Sequence, residues 1–156
     1  MKKKLYIFSI LVVFVFNLLG CGIFEIDKSE PLTPIEITEI QEDGRYTSTD
    51  EVALYIFTFA KLPANYLTKN EAIALGWQSE EGNLWDVSDQ MSIGGDRFGN
   101  REELLPNMEG RIWFECDVDY QGGYRNAKRL VYSNDGLIYY TDDHYESFTE
   151  LTFIKE

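Results

Sequence analysis

Residues 128–141 read KRLVYSNDGLIYYT, two segments rich in Leu, Val, Ile and Tyr around a short polar turn. Segments of this composition that are bounded by turn residues are typical of β-strands, so we predict strands over 128–133 and 137–141. Ser133-Asn134-Asp135-Gly136 between them is a tight hairpin signal, because Asn, Asp and Gly accept the left-handed backbone that such turns need. The stretch therefore predicts two neighbouring antiparallel strands.

Two further segments of the C-terminal half have strand character. Residues 111–118 alternate cleanly, and 148–153 form a last apolar segment. The alternation puts Cys116, a predicted buried hydrophobe, on one face with Ile112, Phe114 and Val118. The opposite face carries Trp113, Glu115 and Asp117. A carboxylate beside a tryptophan on a sheet face needs a partner, because an unpaired buried charge is costly.

Helix signals precede the strands. One helix is predicted from a cap at Ser48 to the turn at 61–63, a shorter one from Thr68 to Gly76, and a helical turn over 84–87. Both longer helices open with a capping box, in which Ser or Thr is followed three residues later by Glu. Helices before strands predict an α+β domain over 45–156, with N-terminal helices packed on a C-terminal antiparallel sheet of about five strands.

The N-terminus has the character of an export signal. A basic Met1–Lys4 segment precedes an apolar run that ends in Leu18-Leu19-Gly20-Cys21, which resembles the bacterial lipobox. We expect residues 1–20 to be a lipoprotein signal peptide and Cys21 to be lipidated, so that the protein is anchored at the extracellular face of the cell membrane and partly released from it. An ordinary signal peptide is the alternative. Residues 21–44 contain seven acidic side chains, one lysine and two prolines, which suits a flexible tether.

The negative charge of the chain argues against a nucleic-acid-binding protein. The chain of 156 residues has a net charge of −13, and residues 45–156 contain 10 basic and 20 acidic side chains. A nucleic-acid binder usually shows a basic field, so this acidity counts against long-range attraction of RNA or DNA. Because Cys116 is the only cysteine left in the domain, no internal disulfide is expected.

The single histidine, His144, narrows any catalytic hypothesis. No serine lies in a G-x-S-x-G setting, which excludes a Ser-His-Asp hydrolase of that kind. One histidine and two distant cysteines do not supply the usual zinc ligands. Acid–base chemistry, in which a carboxylate partners the imidazole, remains. The plainer alternative is a histidine in a surface or packing role.

Two arginines, Arg125 and Arg129, are four residues apart and are predicted to share a strand face near Glu115. Such a pair indicates either a structural ion pair or a clamp on a phosphate. From these residues alone the ion pair is favoured.

Seven stretches carry a wider pattern: KLPANYLTK (61–69), ALGW (74–77), SIGGD (92–96), NRE (100–102), YRN (124–126), YS (132–133) and DDHY (142–145). Together they resemble barnase and binase, the guanine-preferring secreted ribonucleases of bacilli. The resemblance runs without gaps from about 48 to 151, so it covers the domain but neither the signal peptide nor the tether. It implies the microbial ribonuclease fold, with no metal and no cofactor.

The resemblance also implies catalytic roles. Glu115 matches the general base that takes a proton from the ribose 2′-hydroxyl, and His144 matches the general acid that protonates the departing 5′-oxygen. The cations that match the phosphate-binding positions are Lys69, Arg125 and Arg129. Tyr145 matches an active-site phenol near the scissile phosphate.

By themselves, residues 98–102 indicate an ordinary Gly-Asn turn with flanking charges. The resemblance implies that the loop Phe98-Gly99-Asn100-Arg101-Glu102 recognises guanine. Glu102 would accept hydrogen bonds from the guanine N1–H and amino group, backbone amides would donate to O6, and Arg101 would lie on the base or pair with a phosphate. Gly99 departs from the serine of the secreted relatives, which loosens the loop. Gly136 replaces a tryptophan that we expect near His144.

The expected activity is cleavage of single-stranded RNA after guanosine through a 2′,3′-cyclic phosphate, by a monomer. A barstar-like inhibitor is a further partner that the resemblance suggests, although the acidity of the domain weakens this expectation. Two alternatives stay open. One is a catalytically weak RNA- or nucleotide-binding module on the same fold. The other is a metal-dependent hydrolase that uses Asp117, Asp119, Asp142 and Asp143.

Overall fold

The computed structural model describes residues 33–154, so the expected signal peptide and the lipidation site at Cys21 lie outside the described residues. The strands are β1 (Ile35–Glu36), β2 (Tyr66–Leu67), β3 (Ser92–Phe98), β4 (Trp113–Asp117), β5 (Arg129–Ser133), β6 (Ile138–Thr141), β7 (Thr149–Glu150) and β8 (Phe153–Ile154). The helices are α1 (Thr49–Phe59), α2 (Lys69–Ala74) and α3 (Leu84–Val87).

Six of the strands form one sheet in the order β2-β3-β4-β5-β6-β7. Strands β3 to β7 are antiparallel, whereas β2 pairs parallel with β3. The predicted α+β fold with about five antiparallel strands is therefore confirmed, and β2 adds a short sixth strand. Because β2 lies between the helices in the chain, strand periodicity in the C-terminal half could not indicate it.

The hairpin predicted over residues 128–141 is confirmed. Strand β5 pairs with β6, and the turn between them closes with a bond from the Ser133 amide to the Leu137 carbonyl oxygen of 2.9 Å. Gly136 in this turn has a φ of +98°, the left-handed conformation for which glycine is favoured.

Strand β3 was not predicted, because its glycines resemble a break. An added Cβ at Gly94 would lie 2.5 Å from the Cys116 Cβ on β4, so the two strands can pair here only if this position is glycine. The register between β3 and β4 shifts between Gly94 and Asp96. This irregularity places Asp96 opposite Glu115, inside the candidate site.

The predicted capping box forms completely at α2 and in one half at α1. Ser48 accepts a bond from the Glu51 amide at the start of α1, and Thr68 and Glu71 form both halves of the capping box of α2. Gly76 follows α2 with a φ of +102°, which ends the helix.

The two faces of the sheet pack differently. Helix α1 buries its apolar stripe against the back face, where Cys116, Leu130 and Ile138 belong to the main core. A smaller cluster, with Trp113, Val131 and Leu105, covers part of the front face. The predicted alternation of residues 111–118 is therefore correct, and Glu115 points to the front face beside this smaller cluster.

Part of the predicted tether belongs to the domain. Strand β1 pairs parallel with β8, Ile35 is buried in the main core, and the Tyr55 hydroxyl donates to the Glu42 carbonyl oxygen at 2.6 Å. The boundary at residue 44 is corrected to a position before Ile35, because this isoleucine and its neighbours find an apolar surface on α1 and β8. A cavity of about 470 Å³ lies beside this segment, on the back of the sheet.

Within residues 33–154, no helix has the length and apolar character that a membrane crossing requires.

Candidate active site

The site is built around Glu115, in the middle of β4. Only 7% of this residue is exposed. Lys69 Nζ, at the first turn of α2, donates to Glu115 Oε1, and the Tyr145 hydroxyl, in the loop after β6, donates to Oε2. Each carboxylate oxygen therefore has its own donor, and three predicted site residues meet at one point.

These contacts set the protonation of the carboxylate. Burial raises the pKa of Glu115, but the hydrogen bonds from Lys69 and Tyr145, with the nearby charge of Arg125, lower it more, so it lies below its ordinary 4.5. Burial and the bond to this carboxylate raise the pKa of Tyr145. The arrangement is thus an ionised carboxylate beside a protonated phenol, which suits a general base.

Lys69 is held in place from β3. Its backbone N–H donates to Asp96 Oδ2 at 2.9 Å, which ties the first turn of α2 to the sheet. The same turn carries the lysine side chain to Glu115. Asp96 therefore positions the cation, a role that sequence patterns did not indicate.

The two arginines pair with Asp117, and not with Glu115. Arg125 binds it in bidentate fashion, with Nε and Nη2 at 2.7 and 2.6 Å from the two carboxylate oxygens. Arg129 Nε lies 2.9 Å from Asp117 Oδ1, although its N–H is not aligned for a hydrogen bond. The expected common strand face is also wrong for Arg125, because β5 begins only at Arg129. The alternation had already placed Asp117 beside Glu115, which is the signal that could have identified it.

Arg129 is almost fully buried, at 2% exposed, whereas 21% of the Arg125 side chain is exposed. The Nη1 group of Arg129 donates to the carbonyl oxygens of Asn126 and Lys128, both at 2.7 Å. A structural ion pair and a phosphate clamp are therefore compatible here, because the carboxylate orients guanidinium groups that border an open groove.

His144 and Tyr145 lie in a strained loop. Their φ angles are +60° and +77°, which is rare for residues with large side chains. Asp143 holds this loop by accepting bonds from the Ser147 hydroxyl at 2.6 Å and from the Ser147 and Glu146 amides at 3.0 Å each. Asp143 is a second organising residue that the sequence interpretation missed.

The predicted guanine loop has an internal brace. Asn100 is buried, its side-chain NH₂ donates to the Leu105 carbonyl oxygen at 2.9 Å, and its carbonyl accepts from the Leu105 amide at 3.0 Å. The Asn100 side chain therefore shapes the loop, and the expected guanine contacts from the loop's backbone amides stay a prediction. Arg101 is exposed and approaches Gly99, where an added Cβ would be 3.5 Å from its Cγ.

Two adjoining parts of one groove meet at His144. The first part, of about 550 Å³, is lined by Phe98, Glu102, Leu104, His144, Tyr145 and Glu146. The second, of about 350 Å³, is lined by Ser79, Tyr124, Arg125, Asn126, Ala127, Arg129 and His144. We name them, after the contacts that the sequence resemblance predicts for their residues, the base half and the phosphate half. The imidazole lines both halves.

Gly136 lies elsewhere. It lines a separate groove beside α1, with Phe57, Phe114 and Tyr132, and does not contribute to the groove that His144 lines. The expectation that this position adjoins His144 is wrong, because Gly136 is in the β5–β6 turn and the 142–147 loop leaves the other end of β6.

Three of the four aspartates of the metal-dependent alternative have separate partners. Asp117 pairs with the arginines, Lys128 Nζ binds Asp119 at 2.8 Å, and Asp143 organises its own loop. In the described part of the chain, no three His, Cys, Asp or Glu side chains are grouped as a metal ion would require.

A family model described as ribonuclease matches residues 50–152, more than half of the chain. The ribonuclease of Bacillus intermedius is 54% identical over 102 residues, which are 65% of this chain and 63% of that protein. The ribonuclease of Heyndrickxia coagulans is 53% identical over 102 residues and is covered to 94%. Guanyl-specific ribonuclease St of Saccharopolyspora erythraea is 42% identical over 62 residues, or 39% of this chain and 60% of that protein.

The fold and these matches define a protein of the ribonuclease class. More particularly, the chain belongs to the family of barnase and binase, as the sequence motifs indicated. It spans slightly less than two thirds of the length of the Bacillus intermedius relative.

Proposed function

We propose that the protein is an endoribonuclease that cleaves single-stranded RNA after guanosine without a metal ion. The observation that supports this most directly is the ionised Glu115 carboxylate, which lies between Lys69 and Tyr145. Tyr145 in turn lines the groove together with His144. His144, the only histidine, lines both halves of this groove.

In the first step, Glu115 takes the proton of the ribose 2′-hydroxyl, and the 2′-oxygen attacks the phosphorus. The bond from phosphorus to the 5′-oxygen breaks, and His144 gives its proton to that oxygen. The products are a 2′,3′-cyclic phosphate and a free 5′-hydroxyl. In the second step the roles reverse: His144 takes a proton from water, Glu115 returns one to the 2′-oxygen, and a 3′-phosphate results.

The cations act on the charge that grows during attack. Lys69, Arg125 and Arg129 would surround the non-bridging phosphate oxygens, whose negative charge is greatest in the pentacoordinate transition state. The Asp117 contacts and the bond from Lys69 N–H to Asp96 hold these groups before substrate arrives. Groups that are already oriented do not need to reorganise at the moment of reaction.

Guanine preference is the finer part of the proposal. Phe98 offers an aromatic face and Glu102 a carboxylate in the base half, which suits a base with adjacent N–H donors. One relative is named a guanyl-specific ribonuclease, which adds support. The brace from Asn100 to Leu105 would keep the loop in a single shape for this recognition.

The test uses the full chain in a mild detergent, with the dinucleotide GpA as substrate and EDTA present. We expect a cyclic phosphate product, a loss of about 100-fold or more in Glu115→Gln, and little change in the exposed control Glu103→Gln. Binding of guanosine 3′-phosphate without any product would favour the weak binding module. Loss of cleavage on addition of EDTA would favour a metal-dependent hydrolase.

We also propose that the enzyme is a monomer tethered outside the cell through lipidated Cys21, with some release. Replacement of Cys21 by serine should move the activity from the membrane fraction to the medium. If that variant stays with the membrane, the anchor is elsewhere. A barstar-like inhibitor stays a prediction.

A further inference from the structure

One side chain that lines the phosphate half of the groove is an unusually open aromatic residue, Tyr124. Tyr124 is 71% exposed, the highest value among the large hydrophobic side chains of the described residues. It lines this half together with Arg125 and Arg129. Single exposed apolar residues are common, so the surroundings of Tyr124 decide whether it has a role.

The turn that carries Tyr124 is braced from two sides. The Tyr120 hydroxyl donates to the Gly123 carbonyl oxygen at 2.8 Å. From the other side, a Cβ on Gly82 would lie 2.8 Å from the Gly123 carbonyl carbon and 2.9 Å from the Tyr124 nitrogen, so the two backbones are in direct contact. The backbone is thus held while the ring stays open, which is the condition for a preorganised binding surface.

The two halves of the groove indicate which part of an RNA substrate Tyr124 would contact. Phe98 and Glu102 line the base half, His144 lies at the junction, and Tyr124 lines the phosphate half. If the guanine of a substrate occupies the base half and the scissile phosphate lies by the arginines, the next nucleoside continues past His144. That nucleoside carries the 5′-oxygen that the imidazole protonates.

We propose that Tyr124 is a stacking surface for the base on the 3′ side of the scissile phosphate, the nucleoside that leaves. This inference rests on the proposed ribonuclease function. Every base has a π-face, so such a surface accepts all four bases, and the larger purine rings should gain more from it than pyrimidines.

The test compares substrates with and without a leaving nucleoside. Stacking on an aromatic side chain contributes about 1–3 kcal/mol per base, so Tyr124→Ala should lower kcat/KM for GpA by about 5- to 150-fold, and less for GpU. Hydrolysis of guanosine 2′,3′-cyclic phosphate, which has no such nucleoside, should keep its rate and shows that the variant is folded. Tyr124→Phe and the back-face control Phe57→Ala should cleave GpA normally.

An equal loss on GpA and on the cyclic phosphate would overturn the inference, because the residue would then serve the common phosphate site or the fold. Unchanged cleavage of GpA by Tyr124→Ala would overturn it as well. If the wild-type chain cleaves neither substrate, the proposed function itself fails and the stacking site fails with it. These results separate the two proposals.

Discussion

Asp117→Asn tests whether one buried carboxylate holds the cationic side of the site. Asp117 is 1% exposed and is the shared partner of Arg125 and Arg129. Asparagine keeps the size of the side chain but removes its charge, and it leaves a guanidinium group buried without a counter-ion. Removal of one partner from a buried ion pair costs about 3–5 kcal/mol.

Most of the loss in the free energy of unfolding should come from Arg129. The Arg125 side chain is 21% exposed and can turn towards water, whereas Arg129 is 2% exposed and its Nε, the atom nearest Asp117, is buried. The two carbonyl oxygens that accept from its Nη1 group remain in the variant, but they carry no full charge. We therefore expect a loss of about 4 kcal/mol in the free energy of unfolding.

Urea unfolding, followed by tryptophan fluorescence, measures this loss. With a slope of about 2 kcal/mol per molar urea, the midpoint should fall by about 2 M. The matched control is Asp89→Asn, which breaks the ion pair with Arg45 at a side chain that is 90% exposed. That change should cost less than about 1 kcal/mol. Equal midpoints for the two variants would refute the reasoning.

Four further predictions concern the site. Lys69→Ala should shift the acidic limb of the kcat/KM profile to higher pH, because the lysine lowers the pKa of Glu115. Lys61→Ala is the control, and an acidic limb that does not move in Lys69→Ala would contradict the contact between Lys69 and Glu115. Burial raises the pKa of Asp143, but the hydrogen bonds from Ser147 and Thr141 lower it more, to about 2 from its ordinary 3.8. This carboxylate therefore stabilises the fold above pH 3.8, and the contribution is lost as the pH falls towards 2. Asp143→Asn should flatten that part of the stability curve, and an unchanged curve would count against it. Gly99→Ser should be accommodated and should sharpen guanine preference, measured as the ratio of GpA to ApA cleavage, since an added Cβ makes only ordinary contacts. Association with RNA should be slower than for a basic relative, most clearly at low salt; an equal or faster rate there would oppose this.

Local patterns in the chain were sufficient for much of the fold. Capping boxes at 48–51 and 68–71, alternation over 111–118 and the Asn-Asp-Gly turn depend on neighbouring residues alone, so each could be interpreted without a partner. Strand β3 could not, because its glycines have a purpose only where Cys116 of β4 approaches Gly94.

The same division applies to the candidate site. Alternation placed Glu115 and Asp117 on one face, and motif resemblance named Lys69, Tyr145 and the arginines. Neither the alternation nor the resemblance indicates which carboxylate pairs with which cation. That choice depends on where α2 and the loop after β6 meet β4, so the arginines were connected to the wrong acid.

The sequence by itself determined the helices, strands β4 to β6, the face on which Glu115 lies, and the ribonuclease family. Tertiary structure alone decided that Asp117 orients both arginines, that Asn100 braces its loop, and that Ile35 is buried in the core. The physical reason is the distance along the chain over which each effect acts. Apolar periodicity and helix caps involve residues only a few positions apart. The pairing of buried charges depends on groups that only folding brings together.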